Sequence, residues 1–349
     1  MGNIYFGVNN VARKVKKIYF GVDNKARKVK KVYVGINGKA RLVWQENPNV
    51  WGMAERSSTY VWRSVDDCKT FTKITLMNVN DSANGFYSTS YNDGFYVANV
   101  LEANNQVVTW TSEDASTWSQ KIVPKATGDS SVAFAYKSNK GLYVCQKQKI
   151  SFTPDDGNTW FQISSPVTLG ASGFAAFNNT IVALQNNKTF YYSTNNGTTW
   201  TSKSLDGYPT SIFFSNGKFC LTEENSNGDD IYVYQSSDGV NWADISGTNV
   251  EKSNVRYVNG FYIGGRHYGY ILYSTGDKNW TSKRYYASNS LRYYAPICYN
   301  GSKYILNSRY SSDERFYAAT NISDDWVLNG TISNATYTRL CYSVDYGTL

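Results

Sequence analysis

Beyond residue 50 the apolar positions fall in short runs of roughly four to eight residues, broken by Gly, Asn and Asp, and no stretch repeats at helical spacing. Tyr91-Asn92-Asp93-Gly94-Phe95-Tyr96-Val97, Val258-Asn259-Gly260-Phe261-Tyr262-Ile263 and Tyr299-Asn300-Gly301-Ser302-Lys303-Tyr304-Ile305 each read as strand, tight turn, strand. A further strand runs into a polar turn and another runs out of it, as in Phe190-Tyr191-Tyr192-Ser193 and Thr199-Trp200-Thr201-Ser202. Four short antiparallel strands per unit of about 40–45 residues predict an all-β propeller.

The polar turn returns seven times. Its copies are Ser64-Val65-Asp66-Asp67-Cys68-Lys69-Thr70-Phe71, Ser112-Glu113-Asp114-Ala115-Ser116-Thr117-Trp118, Thr153-Pro154-Asp155-Asp156-Gly157-Asn158-Thr159-Trp160, Ser193-Thr194-Asn195-Asn196-Gly197-Thr198-Thr199-Trp200, Ser236-Ser237-Asp238-Gly239-Val240-Asn241-Trp242, Ser274-Thr275-Gly276-Asp277-Lys278-Asn279-Trp280 and Thr320-Asn321-Ile322-Ser323-Asp324-Asp325-Trp326. Seven copies predict a seven-bladed propeller of four-stranded blades over residues 51–349. Before the first copy there is room for one strand too few, and after the last, Arg339-Leu340-Cys341-Tyr342-Ser343-Val344 is one too many. This C-terminal strand is expected to complete the first blade as its innermost strand, which removes an open sheet edge.

Residues 1–44 follow another rule, a period of 14. Ile4-Tyr5-Phe6-Gly7-Val8 through Lys17 is echoed from Ile18 through Lys31 and from Val32 through Trp44, each unit turning on Asn9-Asn10, Asp23-Asn24 or Asn37-Gly38. These pairs suit two-residue hairpin turns, so a small domain of repeated β-hairpins is expected, with Val8 facing Val11 and Phe6 facing Arg13. A lone hairpin is marginal in water, which suggests that the units stack or dock on a partner. Residues 45–50 read as a polar linker.

Charge sharpens this division. The N-terminal 44 residues hold eleven Lys and Arg against Asp23 alone, whereas the rest is nearly balanced, so the net charge of +8 says nothing about the propeller. Arg13, Lys14, Arg27, Lys28 and Arg41 become candidate anchoring residues. Five cysteines lie in strand-like surroundings and are expected to be buried thiols rather than a disulfide framework. With no Cys-x-x-Cys and His267 as the only histidine, neither a zinc site nor any cofactor is expected. No apolar run is long enough for a membrane span, and a removable signal peptide is not expected.

The turn motif resembles the Asp-box or BNR repeat of sialidases and of many non-enzymatic propellers, through Asp155, Gly157 and Trp160, through Asp238, Gly239 and Trp242, and through weaker counterparts. Asp66, Asp114, Asp155, Asn195 and Asp238 would accept backbone N–H bonds in the turn. Trp118, Trp160, Trp200, Trp242, Trp280 and Trp326 would wedge between sheets. The resemblance implies a structural role, away from the face where propellers usually bind ligands. The arginine triad and the Arg-Ile-Pro element of active sialidases are not matched, and no Gly-x-Ser-x-Gly occurs, so catalysis is not expected.

On the opposite face the second-to-third strand loops and the links between blades bring together Arg266, Tyr268, Tyr286, Arg292, Tyr293, Arg309 and Tyr310, candidates for stacking on and hydrogen bonding to sugars. The plain account is that Tyr, at 30 copies, is simply this protein's strand residue. The acidic run 223–230 is either a Ca²⁺ loop or a solvated one.

The N-terminal units, with Tyr-x-Gly-[Val/Ile]-[Asn/Asp]-x-x-Ala-Arg-x-Val, resemble short repeats in structural proteins of phages and prophages of Gram-positive bacteria. That resemblance implies a non-enzymatic virion component, made in the bacterial cytoplasm and held on other virion proteins by its basic repeats. The propeller would be displayed as a capsid or tail decoration, or as a receptor-binding module for host cell-surface glycans. The alternatives are a sialidase-like glycoside hydrolase and, ranked third, a nucleic-acid binder that uses the basic segment; neither nucleic acid nor membrane insertion is expected.

Overall fold

In the computed structural model the chain divides into two compact units, Met1–Pro48 and Asn49–Leu349. The structure describes residues 5–8, 11–14, 18–22, 25–29, 31–36, 39–45, 50–55, 60–76, 89–91, 95–101, 106–112, 115–124, 132–138, 140–146, 149–155, 157–165, 173–185, 187–215, 217–224, 231–247, 253–266, 269–285, 297–299, 302–310, 312–334 and 338–342.

In the first unit the described residues form six strands that pair two by two. Tyr5–Val8 pairs with Val11–Lys14, Ile18–Val22 with Lys25–Val29, and Lys31–Ile36 with Lys39–Gln45, all antiparallel. The register places Phe6 opposite Arg13, Phe20 opposite Arg27 and Val34 opposite Arg41. In the third pair the register shifts between Val32 and Tyr33. Two residues separate the arms each time, the loop length that Asn-Asn, Asp-Asn and Asn-Gly favour.

The second unit is an all-β propeller, and its described residues form seven four-stranded antiparallel sheets. We number them in chain order, beginning with the sheet that holds Trp51–Glu55. In that first sheet Thr338–Tyr342 lies at one edge, beside Trp51–Glu55, with Leu340 opposite Met53, and Tyr60–Ser64 and Thr72–Thr75 follow outward. The other six run in chain order, the fourth as Phe174–Phe177, Thr180–Leu184, Thr189–Ser193 and Thr201–Ser204. The fifth sheet runs Tyr208–Ser215, Lys218–Glu224, Ile231–Ser236 and Ala243–Asp244. Leading strands of successive sheets pack beside one another, from Thr89–Tyr91 through Tyr208–Ser215 and Ile297–Tyr299 to Thr338–Tyr342 and back to Thr89–Tyr91.

Burial follows from this radial stacking. Ile181, Val182, Ala183 and Leu184 of a second strand are all buried, because neighbouring sheets cover both of its faces. All four residues of the fourth strand Thr201–Ser204 are exposed. The core is therefore a series of layers between sheets. Tyr143, Ile150 and Ile163 meet Phe174 and Ile181 between the third and fourth sheets; Trp51, Met53 and Cys68 meet Ile305 and Phe316 between the first and seventh. Cys68, Cys145 and Cys220 are buried free thiols and Cys298 is half-buried; Cys341 lies in the closing strand, where its side chain falls outside the described residues. Burial pushes the Cys68 and Cys145 thiols well up, which suits an apolar role.

Candidate functional site: the stitched turns and the seams between sheets

Each motif copy falls between a third and a fourth strand, and in five of them the chemistry starts with the hydroxyl that ends the third strand. Thr153 Oγ1 accepts the Gly157 N–H at 2.7 Å and donates to Asp155 Oδ1 at 2.9 Å. Ser193 does the same for Gly197 N–H and Asn195, and Ser64 for Cys68 N–H and Asp66. Ser236 serves Gly239 N–H and Asp238. The acid then turns toward the following residues. Asp155 accepts the N–H and the hydroxyl of Thr159, Asp66 those of Thr70, and Asp238 the N–H groups of Val240 and Asn241 and the Asn241 amide.

Asn195 keeps the pattern by reversing one bond. Its Oδ1 accepts the Thr199 N–H, while its Nδ2 donates to the Thr199 hydroxyl. In the sixth copy the acid comes later, so Ser274 reaches Asp277, and in the seventh Asp324 accepts the N–H of Asn321. Asp114 lies outside the described residues.

Backbone conformation explains the glycines. Gly157, Gly197 and Gly239 have φ of +92°, +84° and +75°, and Cys68, standing in the same place, has +65°. Carboxyl pKa values follow from the donors. The N–H and hydroxyl of Thr159 hold Asp155 down from 3.8 to about 2. Burial raises Asp238 and Asp66, but donated hydrogen bonds outweigh it and both end lowered.

The closing tryptophans act in two ways. Trp200 Nε1 donates across the seam to Ser164 O at 3.1 Å, and Trp280 Nε1 to Ile245 O at 2.8 Å. Trp118 and Trp242 instead donate within their own turns, to Ala115 O and Gly239 O. Trp326 is buried between the sixth and seventh sheets, and Trp160 closes its turn half-buried. A lysine three residues beyond the tryptophan adds a second tie, which the motif reading did not single out. Lys121 reaches Asn158 Oδ1, Lys203 reaches Val240 O and Lys283 reaches Asp325, each in the next sheet's turn. The spacing Trp118 to Lys121, Trp200 to Lys203 and Trp280 to Lys283 was the available signal.

Of the candidate ligand residues, Tyr268, Tyr286, Arg292 and Tyr293 lie outside the described residues. Arg266 ends the second strand of the sixth sheet, and Arg309 and Tyr310 end that of the seventh, so these strand ends come to one side of the propeller; their side chains fall outside the described residues. Of the acidic run, only Glu223 and Glu224 are described. Glu223 is fully buried and accepts the Tyr234 hydroxyl at 2.7 Å, which commits it to the fold rather than to a loop ion site. Arg13, Lys14, Arg27, Lys28 and Arg41 stand in the paired strands of the first unit.

Comparison with known proteins agrees on the architecture. A family model described as the DUF6242 beta propeller domain matches residues 78–230. No curated protein matches the chain. Among solved structures, that of YCF48 bound to D1 peptide is 15% identical, covering 80% of this chain and 91% of that one, with a TM-score of 0.60. Apo AztD from Citrobacter koseri is 10% identical over 85% of this chain and 99% of its own, with a TM-score of 0.57. A quinoprotein alcohol dehydrogenase-like protein from Bacteroides thetaiotaomicron is 11% identical over 88% and 83%, with a TM-score of 0.58. At these identities the likeness is one of fold alone.

Proposed function

We propose that this chain is a non-enzymatic structural protein of a phage virion, a decoration or receptor-binding module on the capsid or tail. Its basic hairpins grip other virion proteins and its propeller is displayed on the particle surface for glycan or protein binding. In this reading the seven sheets are seven blades and their stitched turns are Asp boxes. The observation that carries it is the N-terminal unit, where three strand pairs share one register next to the turn and return an arginine to the same place, at Arg13, Arg27 and Arg41. A device repeated three times, with eleven basic residues against one acid, suits a multivalent grip on an acidic protein surface. The turn acids Asp66, Asp155 and Asp238 are engaged by donors within their own hairpins, which suits a scaffold rather than a general acid or base.

Deleting residues 1–44 is the test. Purified particles should lose the protein by immunoblot while the remaining chain keeps its unfolding temperature; undiminished incorporation would overturn the reading. Turnover on a panel of fluorogenic glycosides would overturn its non-enzymatic part.

A further inference from the structure

The seam between the fourth and fifth sheets is built differently from the seams on either side of it. At those two, an indole N–H crosses to a backbone carbonyl of the preceding sheet, Trp200 to Ser164 and Trp280 to Ile245. Trp242 turns its N–H back to Gly239. Ser204, which ends its fourth strand as Ser164 ends the strand before, thus receives no such bond from Trp242, and it lines a cavity of about 170 Å³.

Phe190, Leu205 and Trp242 form an apolar side of this cavity, and Lys203, Asp206 and Tyr234 bring polar groups to it. The Phe190 and Trp242 rings meet edge to face with centroids 5.6 Å apart, so the aromatic wall is already set. The Tyr234 hydroxyl donates its hydrogen bond to the buried Glu223 carboxyl, which leaves the phenol oxygen as an acceptor. Asp206 and Lys203 are exposed residues of the same lining, and the Lys203 ammonium reaches Val240 O at 3.3 Å.

We propose that this seam binds a single neutral sugar ring, stacked on the aromatic wall with its hydroxyls meeting Tyr234, Asp206 and Lys203. Volume and chemistry select that class together. The space equals about six water molecules, well under the ~300 Å³ at which drug-sized sites begin, so it fits one ring with its substituents. Lys203 and Asp206 bring opposite charges to the same lining, which favours a neutral polar ligand over an anion or a purely apolar one. The proposal goes beyond the particle reading, and either can fail without the other.

Saturation-transfer NMR on the full-length chain with methyl glucoside, methyl galactoside and N-acetylglucosamine, each separately, tests it. At least one sugar should bind with a Kd near 1 mM. Asp206→Ala, an exposed change, should weaken it tenfold or more with the unfolding temperature unchanged, and Leu205→Trp should fill the cavity and abolish binding. If Leu205→Trp fails to fold, Asp206→Ala alone decides. No transfer to any of the three sugars, or binding that survives the variants intact, overturns the proposal.

Discussion

Gly197 carries φ of +84°, and a Cβ added there would lie 2.2 Å from Ile163 Cγ2 in the preceding sheet. Gly197→Ala therefore meets both a left-handed backbone and a wall, and is expected to cost about 2 kcal/mol or more. Thermal unfolding of Gly197→Ala, alone and with Ile163→Ala, checks it, because the second change removes the wall and should make the pair less than additive. Ser193→Ala leaves the buried Gly197 N–H without its acceptor and should cost about 1–3 kcal/mol. The motif's Asp, Gly and Trp were legible as a recurring string. The hydroxyl's double role was not, because it depends on which N–H groups the turn aims back at the third strand. Asn195 shows why strings mislead here: it departs from Asp yet satisfies the same turn by donating to Thr199.

Among the strands, legibility followed burial. Second strands such as Thr180–Leu184 read as continuous apolar runs because they are covered on both faces, and fourth strands such as Thr281–Arg284 read as polar because they form the outer edge. The two-residue strand Ala243–Asp244 was harder to see. Its ladder is continued by Ile245 N–H to Val233 O and by the Ser246 hydroxyl, which accepts the Val233 N–H, a side-chain substitution that no periodicity records. The closing strand gives a prediction at this scale. A chain ending at residue 337 lacks Thr338–Tyr342, so Trp51–Glu55 becomes an open edge beside a core that holds Trp51 and Met53. Size-exclusion chromatography should show association or aggregation, and a peptide of residues 338–349 added in trans should reduce it; a monodisperse truncated chain would contradict this account.

For the whole molecule the turns act together in acid. Asp66, Asp155, Asp238 and Asp277 all have lowered pKa values, so the folded chain binds protons more weakly there than the unfolded chain. Their contribution is present above the ordinary value of 3.8 and is lost as pH falls toward about 2, the value of Asp155. Glu223 works the other way, since burial raises its carboxyl; its cost to folding is present near neutrality and eases as pH falls back through its raised value. With Asp244 and Asp325 lowered as well, six carboxyls against one among the described residues predict an unfolding temperature that drops between pH of about 4 and about 2, with Asp155→Asn reducing the drop. Circular dichroism melts across that range would show it, and a flat profile would contradict it. The site was less legible than the fold. Of the residues expected to bind, Tyr268, Tyr286, Arg292 and Tyr293 lie outside the described residues, while the cavity between the fourth and fifth sheets is lined by residues from several strands and turns that no local string brings together.

Pairing Leu340 with Met53 also sets a timetable. At a synthesis rate of about 5–20 residues per second, Trp51–Glu55 leaves the ribosome on the order of 15–60 s before the strand that covers it is made. During that interval the earliest sheet must persist with one partner missing. Nascent chains are therefore most exposed to mispairing with one another at the start of the ring, and slow translation of the last third of the message would lengthen the hazard.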